Sequence, residues 1–130
     1  MPARIISSQS LVKKITCFLP HTLGKHVPLN IVIIEANPQE SLRLNLAYRK
    51  NNKPANVLSF YYSADYGEII VCPVLIRKEA KKEGCSCSFQ MTRMIVHGIL
   101  HLAGLHHEKS RYAEKKTDHL EHIILTKLRL

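Results

Sequence analysis

Three histidines, His97, His101 and His107, stand in the segment HGILHLAGLHH and are the residues of this chain best suited to chemistry. On an α-helix, His97 and His101 would lie one turn apart on the same face, where two imidazoles can bind one metal ion. Gly104 follows three residues later and can adopt the left-handed conformation that ends a helix. The chain could then reverse and bring His107 to the same ion. Three His ligands with an open fourth position are typical of a catalytic zinc site, so we expect one zinc ion per chain.

The spacing of these histidines matches the metzincin pattern HExxHxxGxxH at every position except Gly98. A metzincin peptidase has at that position the Glu that acts as general base. The sequence therefore predicts the metal site without the base of a peptidase. A peptidase remains an alternative only if another carboxylate, such as Glu68, reaches the metal site. His106 is an alternative third ligand, a group that supports a ligand without binding the metal, a proton carrier or an exposed residue, although the position of the glycine favours His107.

The composition favours a polyanionic partner. The chain has 130 residues, of which 45% are hydrophobic, and 19 Lys and Arg against 10 Asp and Glu give a net charge of +9. A net charge of this size suits a nucleic-acid partner. Ordinary solubility is the alternative explanation, but it needs only a smaller net charge. We expect no membrane segment and a cytoplasmic protein, because no apolar run approaches about 20 residues and the first residues lack a signal-peptide pattern. The four cysteines form no CxxC pairs, which predicts free thiols.

The hydrophobic periodicity predicts a fold that places the histidines on a helix beside a small sheet. The predicted helices cover residues 8–24, a segment from Asn37-Pro38 to about Asn51-Asn52, and residues 74–83, 87–104 and 109–128. The predicted strands cover residues 29–34, 56–62 and 67–73, and the last two are expected to form an antiparallel hairpin. We predict a single α/β (α+β) domain over residues 1–130, with a small mixed β-sheet covered by helices.

The chain resembles the YbeY family of bacterial zinc-dependent endoribonucleases. The match is carried by four blocks, which are LNLAYRKNNKPANVLSF (44–60), GEIIVC (67–72), the central helix and HGILHLAGLHH (97–107). The resemblance implies a metzincin-like fold, one zinc ion bound by His97, His101 and His107, and a basic cleft containing Arg49. It also implies a role in ribosomal RNA maturation, including 3′-end processing of the small-subunit rRNA, and in ribosome quality control. The partners it implies are single-stranded ribosomal RNA and, with it, the ribosome or assembly proteins.

Arg49 has two interpretations. As one cation of the basic run YRKNNK it would be a solvated side chain. The resemblance instead implies a catalytic role, in which a guanidinium stabilises the charge that develops on the phosphoryl oxygens. Either the RNA 2′-OH or an activated water could attack the phosphorus, and the sequence leaves both routes open.

Three positions depart from the usual pattern of the family. His106 replaces an Asp, and Ala55-Asn56 replaces Thr-Asp before the segment VLSF. These changes remove carboxylates that could orient a metal ligand, but they leave the predicted ligands intact. Asn56 and Ser59 are expected to support the end of the strand. Because of the substitutions, an RNA-binding ribosome-assembly factor with weakened catalysis is the main alternative to an active nuclease.

Overall fold

A four-stranded mixed β-sheet and six helices make up the part of the chain that the computed structural model describes, residues 4–6, 9–105 and 111–128. The strands are β1 (Arg4–Ile6), β2 (Asn30–Glu35), β3 (Val57–Tyr61) and β4 (Tyr66–Val71). The helices are α1 (Gln9–Phe18), α2 (His21–Gly24), α3 (Pro38–Arg49), α4 (Pro73–Glu83), α5 (Cys87–Leu102) and α6 (Arg111–Leu128). The predicted fold class, a small mixed sheet covered by helices, is confirmed.

The sheet has the strand order β1-β2-β4-β3. β2 runs parallel to β4, whereas β1 and β3 run antiparallel to their neighbours. The predicted hairpin between β3 and β4 is therefore confirmed, with Ser59 opposite Ile69. Because β3 pairs only with β4 in the described sheet, its other side is an exposed edge, and the candidate site lies along that edge.

The two faces of the sheet carry separate apolar clusters. The larger cluster packs sheet residues against α1, α5 and α6, and its fully buried members include Ile15, Ile31, Ile33, Ile69, Val96, Ile99, Leu100 and Ile124. The smaller cluster, on the opposite face, joins Leu58 and Ile70 to Leu44 of α3. Strand residues alternate between these faces, so β2, β3 and β4 each contribute to both clusters. The helix that carries His97 and His101 is thereby fixed against the sheet by its own apolar residues.

Two features of the N-terminal region differ from the prediction. The single helix predicted over residues 8–24 is wrong, because Pro20 separates α1 from α2 and stands at the N-terminus of the second helix. Proline has no N–H for an intrahelical hydrogen bond and fits only in the first turn of a helix. Strand β1 was not predicted, since three residues are too few to show a period of two.

The remaining elements agree with their predicted ranges to within a few residues. Helix α6 is described from Arg111, and its predicted start at residue 109 lies outside the described residues. All four cysteines are free thiols, as predicted. In the described part of the chain, no helix is both long enough and apolar enough to span a bilayer.

Candidate active site

Helix α5 begins at a side-chain cap and holds two histidines on one face. The Oγ of Ser86 accepts a hydrogen bond from the backbone N–H of Phe89 at 3.0 Å, which satisfies one of the free donors of the first turn. Three turns later, the ring centroids of His97 and His101 lie 4.5 Å apart at an interplanar angle of 41°. Two imidazoles at this separation can approach one cation from the same side.

The end of α5 has the reversal that the sequence predicted at Gly104. Its φ is +96°, in the region that favours glycine, and an added β-carbon would meet no atom within 4 Å. The glycine is therefore required by backbone conformation rather than by space. The N–H groups of Gly104 and Leu105 bond to the carbonyl groups of His101 and Leu100 at 2.9 and 3.0 Å. These two bonds form a Schellman motif, which turns the chain away from the helix axis immediately after His101.

The predicted third ligand, His107, and its neighbour His106 lie outside the described residues. Among the residues that the structure does describe, no group of three His, Cys, Asp or Glu side chains converges on a metal position. The histidine pair and the chain reversal are thus the observed parts of the predicted zinc site. The assignment of His107 stays a prediction.

A carboxylate from α6 orients His97. The Oε1 of Glu121 lies 2.7 Å from the Nδ1 of His97, and the two side chains are 7% and 22% exposed. Because a carboxylate can only accept a hydrogen bond, Nδ1 carries the proton and the lone pair of the neutral ring is on Nε2. This is the form in which histidine binds metals, and a carboxylate behind the ring is a common means of fixing it.

Sequence reasoning missed Glu121, although the sequence contained a signal. The buried positions of α6 are spaced helically and include Thr117, Leu120, Glu121 and Ile124. A glutamate in such a stripe is seldom buried without a partner. The partner lies 24 residues away on another helix, so no local pattern identifies it.

Arg49 is held at the exposed edge of β3. It is the last residue of α3, which ends at Lys50 in the left-handed conformation. Its Nη2 donates to the backbone carbonyl of Ser59 at 2.6 Å, and its guanidinium lies 5.2 Å from the ring centroid of Phe60. A guanidinium has five N–H donors, so one bond to the strand fixes the group and leaves donors for an anion.

Two adjoining cavities bring Arg49 and the histidines to one cleft. A cavity of about 890 Å³ is lined by Arg49, Ser59 and His101 among others. The same three residues also line a cavity of about 600 Å³, to which His97 contributes. The structure therefore places three of the four predicted site residues on one cleft along β3.

Gly98 allows α5 to lie close to the sheet. An added β-carbon would be 3.0 Å from both the Oγ of Ser59 and the Cγ2 of Ile69. The same Ser59 hydroxyl donates to the carbonyl of Gly98 at 3.0 Å and ties β3 to the helix. A glutamate at position 98, as in a metzincin peptidase, would require this contact to open.

Glu68 does not take the place of that missing base. Its neighbours Gly67 and Ile69 face Leu102 and Gly98 of α5, so the alternation along β4 puts Glu68 on the opposite face of the sheet. Its two carboxylate oxygens accept hydrogen bonds from tyrosine hydroxyl groups. The condition under which the peptidase alternative would hold is thus not met by Glu68.

The two positions that depart from the family pattern before β3 have structural partners. Ser41 of α3 donates to the carbonyl of Ala55 at 2.7 Å and accepts from its N–H at 2.9 Å. The side-chain amide of Asn56 donates to Glu79 of α4, and its backbone carbonyl accepts from Cys72 at 2.9 Å. Asn56 and Ser59 therefore support the strand, as expected, while both also line the smaller cavity.

Sequence comparison decides the family. A profile described as Endoribonuclease YbeY matches residues 4–129 of the chain. The chain belongs to this family. The resemblance first seen in the histidine block is confirmed over the greater part of the sequence.

Two relatives illustrate the distance within the family. The endoribonuclease YbeY of Aquifex aeolicus is 37% identical over 109 residues, and the alignment covers 79% of this chain and 71% of that protein. The endoribonuclease YbeY of Polynucleobacter asymbioticus is 39% identical over 129 residues, and the alignment covers 95% of this chain and 78% of that protein. A protein from Thermotoga maritima with a known solution structure has a similar fold, with a TM-score of 0.58 at 24% identity over 95% of this chain and 88% of that one.

Proposed function

We propose that the chain is a zinc-dependent endoribonuclease of the cytoplasm that cleaves single-stranded RNA, in ribosomal RNA maturation and ribosome quality control. The observation that carries this proposal is the common cleft of His97, His101 and Arg49. Two relatives that are 37% and 39% identical to this chain over the aligned residues are named endoribonucleases. The net charge of +9 supports a polyanionic substrate.

The two described histidines of the cleft, His97 and His101, are suited to hold a zinc ion. His97, His101 and His107 would be the ligands, with Glu121 holding the first ring in its metal-binding tautomer. Imidazole nitrogen is a preferred zinc donor, and the two described rings are close enough to share one ion. A zinc ion held by these three histidines would supply a base or nucleophile near neutral pH.

Arg49 would bind the scissile phosphate. Its guanidinium is fixed by Ser59 and Phe60, so little side-chain freedom is lost when an anion binds. Two parallel N–H donors match two phosphoryl oxygens, whose negative charge grows during cleavage. Gly98 presents no side chain that could protonate a leaving amine, which favours phosphate chemistry over peptide hydrolysis.

The test pairs zinc content with RNA cleavage. The purified chain should contain close to one zinc ion and cleave a single-stranded RNA in a manner that a chelator abolishes. His101→Ala should lose both the metal and cleavage, because it removes a ligand. His119→Ala, which changes an exposed histidine of α6, is the matched control and should behave as the parent. Full zinc occupancy in His101→Ala would refute the site, and cleavage that is insensitive to chelator would refute zinc dependence.

A further inference from the structure

Exposed aromatic rings border the cleft on the side of Arg49. Six large apolar side chains are exposed in the described part of the chain, and three of them are Tyr48, Tyr61 and Tyr62, at 63%, 55% and 60% exposure. All three line the cavity of about 890 Å³ together with Phe60. Packing against the core does not account for rings that are more than half exposed, and a concentration of such rings commonly marks a binding surface.

Contacts with their neighbours hold two of these rings in place. Tyr62 donates its hydroxyl to one oxygen of Glu68 at 2.8 Å, and Tyr66 donates to the other at 2.6 Å. The rings of these two tyrosines lie 5.5 Å apart. Tyr48 contacts Phe60 edge-on at 5.4 Å. Because the rings of Tyr48 and Tyr62 are held by these contacts, binding a planar group to them costs little conformational entropy.

The charge of the same cavity is suited to a phosphate backbone. Its described lining includes the guanidinium of Arg49, and no Asp or Glu is among the described lining residues. Aromatic faces next to cationic side chains are the combination that binds single-stranded nucleic acid, because unpaired bases can stack while the phosphates meet the cations. Bases within a duplex are already stacked on one another and cannot use such rings.

We propose that Tyr48, Tyr61 and Tyr62 form a stacking subsite for unpaired RNA bases beside the phosphate that Arg49 binds. The subsite restricts the cleft to single-stranded RNA by recognising base planes rather than base edges. The choice of RNA as the ligand rests on the proposed function, whereas the stacking itself requires neither bound zinc nor cleavage.

Binding to a single-stranded oligouridylate with 2′-O-methyl groups tests this subsite, with fluorescence anisotropy as the readout and a gel to check that the probe stays intact. Tyr61→Ala and Tyr48→Ala in the 130-residue chain should each weaken binding by about 5-fold to 150-fold, the range found for loss of one stacked base. Tyr61→Phe should bind nearly as the parent, because it keeps the ring. Tyr112→Ala removes a tyrosine of α6 that is 75% exposed and outside the described lining, and should have no effect.

Circular dichroism of each variant separates loss of binding from loss of folding. A folded Tyr61→Ala and a folded Tyr48→Ala that both bind as the parent would overturn the subsite, and so would equal binding of a duplex probe. Those results would leave these rings to contact a protein partner. Tyrosine-dependent binding without any cleavage of unmodified RNA would instead contradict the proposed nuclease and retain the subsite. A chain that binds no RNA would refute both.

Discussion

Replacing Glu121 by Gln should weaken zinc binding by about 10-fold without unfolding the protein. The carboxylate lies 2.7 Å from the Nδ1 of His97 and is only 7% exposed, so their hydrogen bond is short and little screened by salt. Loss of a group that orients a metal ligand typically lowers metal affinity about 10-fold to 100-fold, or roughly 1.4–2.8 kcal/mol. Gln keeps the shape and one acceptor oxygen but loses the charge, which roughly halves the strength of such a bond. We therefore expect the lower end of this range for Glu121→Gln and the upper end for Glu121→Ala.

The assay is competition for zinc with a chromogenic chelator, which reports affinity independently of RNA cleavage. Asp118→Asn is the matched control, because this exposed residue of α6 lines the same small cavity as His97 and Glu121. Asp118→Asn removes one negative charge near the site. If the loss of charge alone were responsible, zinc binding would weaken equally in Asp118→Asn and Glu121→Gln. Equal zinc affinities for Glu121→Gln, Asp118→Asn and the parent would refute the orienting role of Glu121.

Four further predictions concern the cleft and its supports. Arg49→Ala should retain zinc and lower the rate of RNA cleavage by about 10²-fold or more, and Arg49→Lys should recover only part of that rate; an unchanged rate for Arg49→Ala would contradict its role. Gly98→Ala should lower the free energy of unfolding in urea by about 1–3 kcal/mol, because the added β-carbon would lie 3.0 Å from two side-chain atoms. Gly24→Ala is the control and should not show this packing penalty, because its β-carbon would have its nearest contact at 3.7 Å. The hydrogen bond that Tyr66 donates to Glu68, followed by burial, raises the pKa of Tyr66 to about 12. The contribution of this hydrogen bond to stability is therefore complete below about pH 10 and is lost as the pH rises towards 12. Tyrosinate absorbance should show a tyrosine that titrates late in the parent and no longer does so in Glu68→Gln. RNA affinity should fall steeply with salt, with log K linear in log salt, and a salt-independent constant would argue against an electrostatic interface.

Most elements could be predicted because their signals are local. The β-branched run before Glu35 predicts β2, and Asn37-Pro38 predicts the start of α3, where the side chain of Asn37 accepts from the N–H of Glu40 at 2.8 Å. Glycines at the ends of α4 and α5 predict left-handed residues, which the structure has at Gly84 and Gly104. Pro20 was overlooked as a local signal, whereas β1 is ordered by pairing with a strand far along the chain.

The groups around the histidines could not be predicted in the same way. Glu121 reaches His97 only because α6 packs against α5, and Tyr48 meets Phe60 only because α3 covers one face of the sheet. These contacts join residues whose separation along the chain carries no periodic signal. Their side chains are also common on protein surfaces, so type alone does not distinguish them.

The sequence by itself determined the features that depend on a few consecutive residues. These are the one-turn spacing of His97 and His101, the reversal at Gly104, the excess of positive charge and the motif that indicates the family. Backbone geometry converts such spacing directly into position, because a helix has a fixed pitch and a left-handed residue favours glycine. Tertiary structure alone decided that Glu121 fixes the tautomer of His97 and that Arg49 and the exposed tyrosines share one cleft. Those arrangements depend on how whole helices and strands pack, and packing is set by the sum of many apolar contacts rather than by any one segment.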